Sequence, residues 1–292
     1  MKKKTAVFEN LSDFYRQKDW FYLTVWLSGL LVCWIWNFVY LNAPALRQVE
    51  RGFINTVLIS LMVVVFSAIL GWTMIIVDHW LARRFPAFQV GLQFIFNLVR
   101  SIPQIVGILM GYVLLTSLHT LGIIHSELIM LVTMAAIIAL FVFLEVFDLL
   151  AERIAYFRRL DFFNAMRVCG ISERYIINRE IIWRSSLTHL LNKLIAIFGA
   201  AIFLLCSVDF IISVGLSTDV SPVDLPVTLG SLLAKIDSKQ DILAIGHSLT
   251  HWDYIIRLPF AHLQGITIAF VIVFTLLCVY YIANGYARRI RQ

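Results

Sequence analysis

The run WFYLTVWLSGLLVCWIWNFVYL, residues 20–41, decides the fold class: 22 positions pass without one charged side chain. At a rise of ~1.5 Å per residue, a helix of this length spans the ~30 Å hydrocarbon layer of a bilayer. Lipid offers no partners for backbone N–H and C=O groups, so such a run must satisfy them within itself, as a helix. The leading Met1-Lys2-Lys3-Lys4 imitates the basic start of a secretory signal, and Ala43-Pro44-Ala45 imitates its cleavage site. A signal's apolar core is only ~7–15 residues long. The run therefore reads as a retained first transmembrane helix.

Working outward, five further apolar runs follow at about 53–77, 101–121, 128–147, 190–214 and 263–284. The expectation is an all-α integral membrane protein of about six transmembrane helices. Composition agrees. Of 292 residues, 60% are hydrophobic and 14% charged, whereas soluble domains run at roughly 45–50% and about 25%. The third run is interrupted by Arg100-Ser101-Ile102-Pro103. A continuous span from Gly91 would put Arg100 near mid-bilayer, at a cost of at least ~2.5–3.5 kcal/mol. Starting the span at Pro103 avoids this, because proline suits a helix's first turn. Residues 87–99 then read as an interfacial or re-entrant helix, with Arg100 at the cytoplasmic boundary.

Basic residues set the orientation. With the N-terminus inside, the inner segments hold Lys2–Lys4, Arg16, Lys18, Arg83, Arg84, the arginines between Arg153 and Arg184, and Arg288, Arg289 and Arg291. The outer segments hold only Arg47, Arg51, Lys235, Lys239 and Arg257. Both termini are expected in the cytoplasm of a bacterial inner membrane. The formal net charge of +6 expresses this bias, and no nucleic-acid partner is expected. Residues 1–19 read as a cytoplasmic N-terminal segment and 20–292 as a single transmembrane domain. That domain carries two long connections: a cytoplasmic stretch over 148–189 and an external one over 215–261, with Pro222, Pro226 and Pro259. Cys33, Cys169, Cys206 and Cys278 lie in apolar runs or in the basic loop, so no disulfide framework is implied.

The cytoplasmic stretch contains LDFFNAMRVCGISERYII, residues 160–177. Phe162, Ala165, Met166 and Cys169 recur at i, i+3, i+4 and i+7, one apolar stripe of a short helix over 160–169. Gly170 stands where a left-handed residue commonly ends a helix. Ser172 suits an N-cap, with Glu173 in a favoured first-turn position. A second helix to about Arg184 would carry Ile177 and Ile181 on one side. The local expectation is helix, glycine turn, helix.

That pattern resembles the coupling loop of ABC-importer permeases: Glu-Ala-Ala, three residues, Gly, nine residues, Ile-x-Leu-Pro. Here Asn164-Ala165-Met166 is followed at the same spacing by Gly170 and by Glu180-Ile181-Ile182-Trp183, and Gly170-Ile171-Ser172 is similar to the family's Gly-Ala-Ser. Asn164, Met166 and Trp183 depart from the pattern. Leu225–Leu233, with Trp252 and Pro259, resembles an external segment of the dipeptide/oligopeptide-type permeases. Ala283–Arg288 resembles their closing Gly-Asp-Gly-Leu-Arg, and Arg100–Pro103 resembles the start of the third helix in several importer permeases. Those permeases carry a longer external insertion between the first two helices, where this chain has a short link around 42–52. The resemblance implies a type I ABC importer fold, with a coupling helix between the fourth and fifth spans. The ATPase contact would involve Phe162, Phe163, Asn164, Ala165, Met166, Gly170, Ile171, Ser172 and Glu173. It also implies a second permease subunit, an external substrate-binding protein, and peptides as the substrate class.

No Gly-x-x-x-x-Gly-Lys-[Ser/Thr] occurs in the sequence, so ATP and Mg are expected on a separate ATPase subunit rather than on this chain. No catalytic residue or metal ligand set is expected. His247 and His251 share a helical face, but neither a cysteine nor a His-Glu-x-x-His accompanies them. Arg100 and Asp209 are candidates for the substrate pathway, since ionisable groups within spans mark function. Lys193 lies near the inner end of the fifth span. Gly107-x-x-x-Gly111 allows close helix approach. Trp20, Trp26, Trp34, Trp36, Trp72 and Trp80 read as interfacial belts. Two other classes remain open: an ion-coupled secondary transporter or channel, and a membrane-embedded enzyme. The first lacks a clear internal repeat, and the second lacks Gly-x-Ser-x-Gly or His-Glu-x-x-His.

Overall fold

The computed structural model describes residues 18–122, 126–215, 225–234, 243–244, 246–261 and 263–291. Lys2–Lys4, Arg16, His125, Pro222, Lys235, Lys239 and His262 lie outside these residues, as does most of the 1–19 segment. Among the described residues the chain is helical, with no strand. The long helices are α1 (Lys18–Tyr40), α2 (Ala43–Arg84), α3 (Pro86–Ser101), α4 (Gln104–Thr120), α5 (Glu127–Arg158), α6 (Asp161–Val168), α7 (Leu187–Gly215) and α8 (Leu263–Arg291); α6 is the short one among them. Five of these, α1, α2, α5, α7 and α8, are long and apolar enough to cross a bilayer. The pair α3 and α4, bent by 96° at its break, makes up to six if it counts as one broken span.

The break falls where the sequence placed it. Pro103 stands at the N-cap of α4 and Ile102 at the C-cap of α3. Proline's missing N–H costs nothing at a helix start. Arg100 therefore lies at the corner, outside the apolar stretch of α4, and its guanidinium pairs with Asp148 of α5. One expectation needs correcting. The link between the first two spans is only Leu41 and Asn42, because α2 starts at Ala43 and runs on for 42 residues. Pro44 sits in its first turn and initiates the helix rather than interrupting it.

The core forms where α2, α4, α5 and α7 meet. Ile59, Val63, Ile108, Met134, Ile138, Val142 and Leu205 are fully or almost fully buried there. Small residues let the helices close up. A Cβ on Gly71 would fall 2.6 Å from Val146, and one on Gly107 or Gly111 would strike Phe141 or Ile137 of α5. The expected close approach at Gly107 and Gly111 is thus the α4–α5 seam. By contrast α1 stands at the edge of the bundle, with only 6% of its apolar window buried. Three polar contacts strap it to α8: Asp19 to Arg289 at 2.8 Å, Trp26 to Thr275 at 3.1 Å, and Thr267 to Asn37 at 2.9 Å. Trp26 is therefore a helix–helix contact rather than part of an interfacial belt, whereas Trp20, Trp34, Trp36 and Trp80 are exposed. Lys193 is paired with Glu145 of α5 at 2.7 Å.

The stretch read as external turns back into the bundle. A short helix, Leu229–Leu233, wedges among α2, α7 and α8. Leu229, Leu232 and Thr228 are at most 2% exposed. Gly230 makes the seat possible: its Cα approaches Cys206 so closely that a Cβ would lie 2.5 Å from the backbone oxygen.

Candidate functional site

At the end of the bundle where α2 and α5 finish, the chain forms an elbow. After α5 it turns at Arg159 and Leu160, runs as α6 for eight residues, and reverses at Gly170. The reversal is a Schellman turn. The Gly170 N–H donates to Arg167 O at 3.0 Å, and the Ile171 N–H donates to Met166 O at 3.1 Å. Gly170 has φ +79°, which glycine adopts without the Cβ penalty of other residues. Ser172 stands at the next N-cap in extended backbone. Its carbonyl, not its hydroxyl, takes the first bonds, from Tyr175 and Ile176.

The second arm starts as the single turn Glu173–Tyr175 and continues as a π-helix over Ile176–Ser185. This departs from the expected α-helix, and the side chains give the reason. Ile176, Ile177, Ile181 and Ile182 are all buried, two doublets five residues apart. In an α-helix that separation rotates side chains apart by about 140°. The wider i→i+5 winding returns them to one face. Trp72 of α2 reaches this arm, donating to Asn178 Oδ1 at 2.8 Å and meeting Trp183 edge-to-face at 5.3 Å. Trp72 is thus a contact within the protein, not part of a belt.

The elbow's two faces differ. Phe163 is 4% exposed and packs into the core, with Met166 and Ile171 half-buried beside it. Phe162, Asn164, Ala165, Val168 and Cys169 are exposed, as is Gly170. Of the expected stripe, only Met166 turns toward the protein. Phe162, Ala165 and Cys169 face away, and Phe163 lies underneath.

A cluster of charges locks the elbow in place. Glu173, only 12% exposed, pairs with Arg158 at the end of α5 at 2.5 Å and with Arg83 in the last turn of α2. The His79 ring lies 3.2 Å from the same carboxylate and 2.7 Å from the Arg158 guanidinium. Burial and the two neighbouring guanidinium groups push His79 down to about 4, so its ring is neutral at pH 7 and accepts from Arg158. The Glu173–Arg158–Arg83 cluster is the charged centre, and His79 fills the space between its members. The sequence flagged Glu173 but not its partners.

The two pathway candidates do not come together. Arg100 sits at the α3–α4 corner with Asn97 and Asp148. Asp209 lies toward the opposite end, near the finish of α7, 4% exposed and accepting the Thr228 hydroxyl. His247 and His251 stack at 4.2 Å. Among the described residues no three metal-ligating side chains converge. No protein-family model matches this sequence, and no curated protein matches it.

Proposed function

We propose that this chain is the membrane-spanning permease subunit of an ATP-driven importer of the ABC class, and that the elbow is its contact with a separate ATPase. One observation carries the reading. Glu173 clamps a helix–glycine–helix elbow to the ends of both α2 and α5, while the elbow's other face stays open. A push on such an elbow moves two bundle helices rather than one loop. Phe162, Asn164, Ala165 and Gly170 would meet the ATPase. Phe163, Met166, Ile171 and Glu173 would transmit the movement from beneath. The partner would bind ATP and Mg. A second permease, an external binding protein and a peptide-class substrate follow from the resemblance of residues 53–290, and the setting would be a bacterial inner membrane with the elbow in the cytoplasm.

Gly170→Val tests this directly. A Cβ at Gly170 meets nothing within 4 Å, so the cost is confined to the backbone, about 1–2 kcal/mol for left-handed φ. The variant is expected to insert and fold normally yet lose ATP-driven uptake. Full uptake by this variant would sink the proposal. So would uptake by the purified chain in sealed vesicles with no ATPase bound. That last outcome would favour the second reading, an ion-coupled transporter, which the buried Asp209 carboxyl supports.

A further inference from the structure

Near the end of the bundle away from the elbow, a carboxyl group is buried with half its hydrogen-bonding capacity unused. Asp209 of α7 is 4% exposed. Its Oδ2 accepts the Thr228 hydroxyl, and its Oδ1 has no partner. Beside it, close enough to feel its charge, lies the Tyr112 hydroxyl of α4, itself 0% exposed and without a partner. No basic side chain among the described residues pairs with Asp209.

Among the described residues, the side chains that face the carboxyl are uncharged. Tyr112 faces the carboxyl from α4 and Cys206 from one turn back on α7. The segment Leu225–Ala234 contributes Thr228 and Ser231. From α2, Asn55 donates to Val227 O at 2.9 Å, and Thr56 accepts from the Leu229 N–H at 3.0 Å. An ionised carboxylate held there by a single hydrogen bond would be left with its desolvation uncompensated. A neutral carboxyl group fits. Protonation at Oδ1 removes the buried charge, while Oδ2 still accepts from Thr228.

Thr228 makes this group consequential. It is the N-cap of the wedged helix Leu229–Leu233: its Oγ1 accepts from the Ser231 N–H at 3.2 Å, while Ser231 Oγ accepts from the Thr228 N–H at 3.0 Å. Asp209 thus holds the cap of a segment that enters the bundle from a loop.

We propose that Asp209 is a proton-binding site. Its carboxyl holds a proton while the segment Leu225–Ala234 is seated in the bundle, and gives that proton to water when the segment withdraws and the carboxylate is hydrated. Acid therefore favours the seated arrangement and alkali the withdrawn one. The site needs neither an ATPase nor a substrate, so it stands or falls apart from the transport reading.

Hydrogen exchange of peptides covering 225–234 tests it, using the purified chain in lipid nanodiscs and rates corrected for the intrinsic pH dependence of exchange. In the wild type, protection is expected to fall by up to about tenfold per pH unit between the titration of the hydrated carboxyl and that of the seated one, one proton being released per opening, and to level off above that window. In Asp209→Asn it is expected to stay flat with pH. Wild-type protection independent of pH, or an equal fall in Asp209→Asn, overturns the proposal. If Asp209→Asn fails to elute as a folded species, Thr228→Val decides. It keeps the carboxyl but removes the hydrogen bond that the seated group accepts, so the fall must continue to higher pH before it levels off. An unmoved levelling-off point overturns the proposal.

Discussion

Glu173 is the residue on which the elbow's position depends. Without its charge, Arg83 and Arg158 would face each other across a half-buried gap with nothing to neutralise them. Both arginines are partly exposed, which screens the interaction. For Glu173→Gln the loss is therefore expected at the low end of charged hydrogen bonds, about 1–2 kcal/mol. It should appear as faster hydrogen exchange across 160–186 with little change elsewhere in the bundle. His79 adds a pH dependence whose sign can be worked out. Its value in the folded state, about 4, lies below the ordinary 6.5. Between these pH values the unfolded elbow takes up a proton that the folded elbow refuses, so stability rises with pH through that window and levels off above it. Exchange over 160–186 should therefore quicken as pH falls from 6.5 toward 4, after intrinsic correction. His79→Gln, which keeps an acceptor but cannot titrate, should flatten that response.

At the scale of elements, glycines separate seats that tolerate a side chain from those that do not. Gly230→Ala would drive a methyl group into the Cys206 backbone, 2.5–2.9 Å away, and a backbone cannot swing aside. Overpacking of this kind costs about 1–3 kcal/mol, so the variant should melt earlier and lose protection in 225–234. Gly91 in α3 has nothing within 4 Å. Gly91→Ala should be neutral or stabilising by about 0.5–1 kcal/mol through helix propensity, in the same melting experiment. The spans were legible in the sequence because length and hydropathy alone fix them, and the break at Arg100–Pro103 because a charge and a proline coincide. Gly170 was legible because the stripe before it ends there. The partners of Glu173 were not: His79, for one, lies 94 positions away in the chain. Nor could the sequence choose between Phe162 and Phe163 as the buried ring: both fit a helical stripe, and the turn at Leu160 decides which faces inward. The seat of Leu229–Leu233 was hidden for another reason. A loop's apolar residues look the same whether they meet lipid, water or a gap between helices.

For the molecule as a whole, orientation is open to a direct test through the cysteines. Cys169 is exposed on the elbow, while Cys206 and Cys278 are buried and Cys33 is partly covered. A membrane-impermeant thiol reagent should label the protein at Cys169 in inside-out vesicles and leave it unlabelled in intact cells. The reverse pattern would invert the topology read from the arginines. A larger consequence follows from the length of α2. Its 42 residues make a rod of about 63 Å, roughly twice the apolar thickness it crosses. Partway along one arm it carries Asn55 and Thr56 against the wedged segment, and along the other arm Trp72, His79 and Arg83 against the elbow. A rod pivoting about its midpoint delivers opposite strokes to its two tips, about 5 Å each for a tilt of about 10° at this length, and about 2 Å at Asn55 and Thr56. On the proposed reading, a push on the elbow would thus shift the seat of Leu229–Leu233, toward the bundle's other end, with no relay of small adjustments in between.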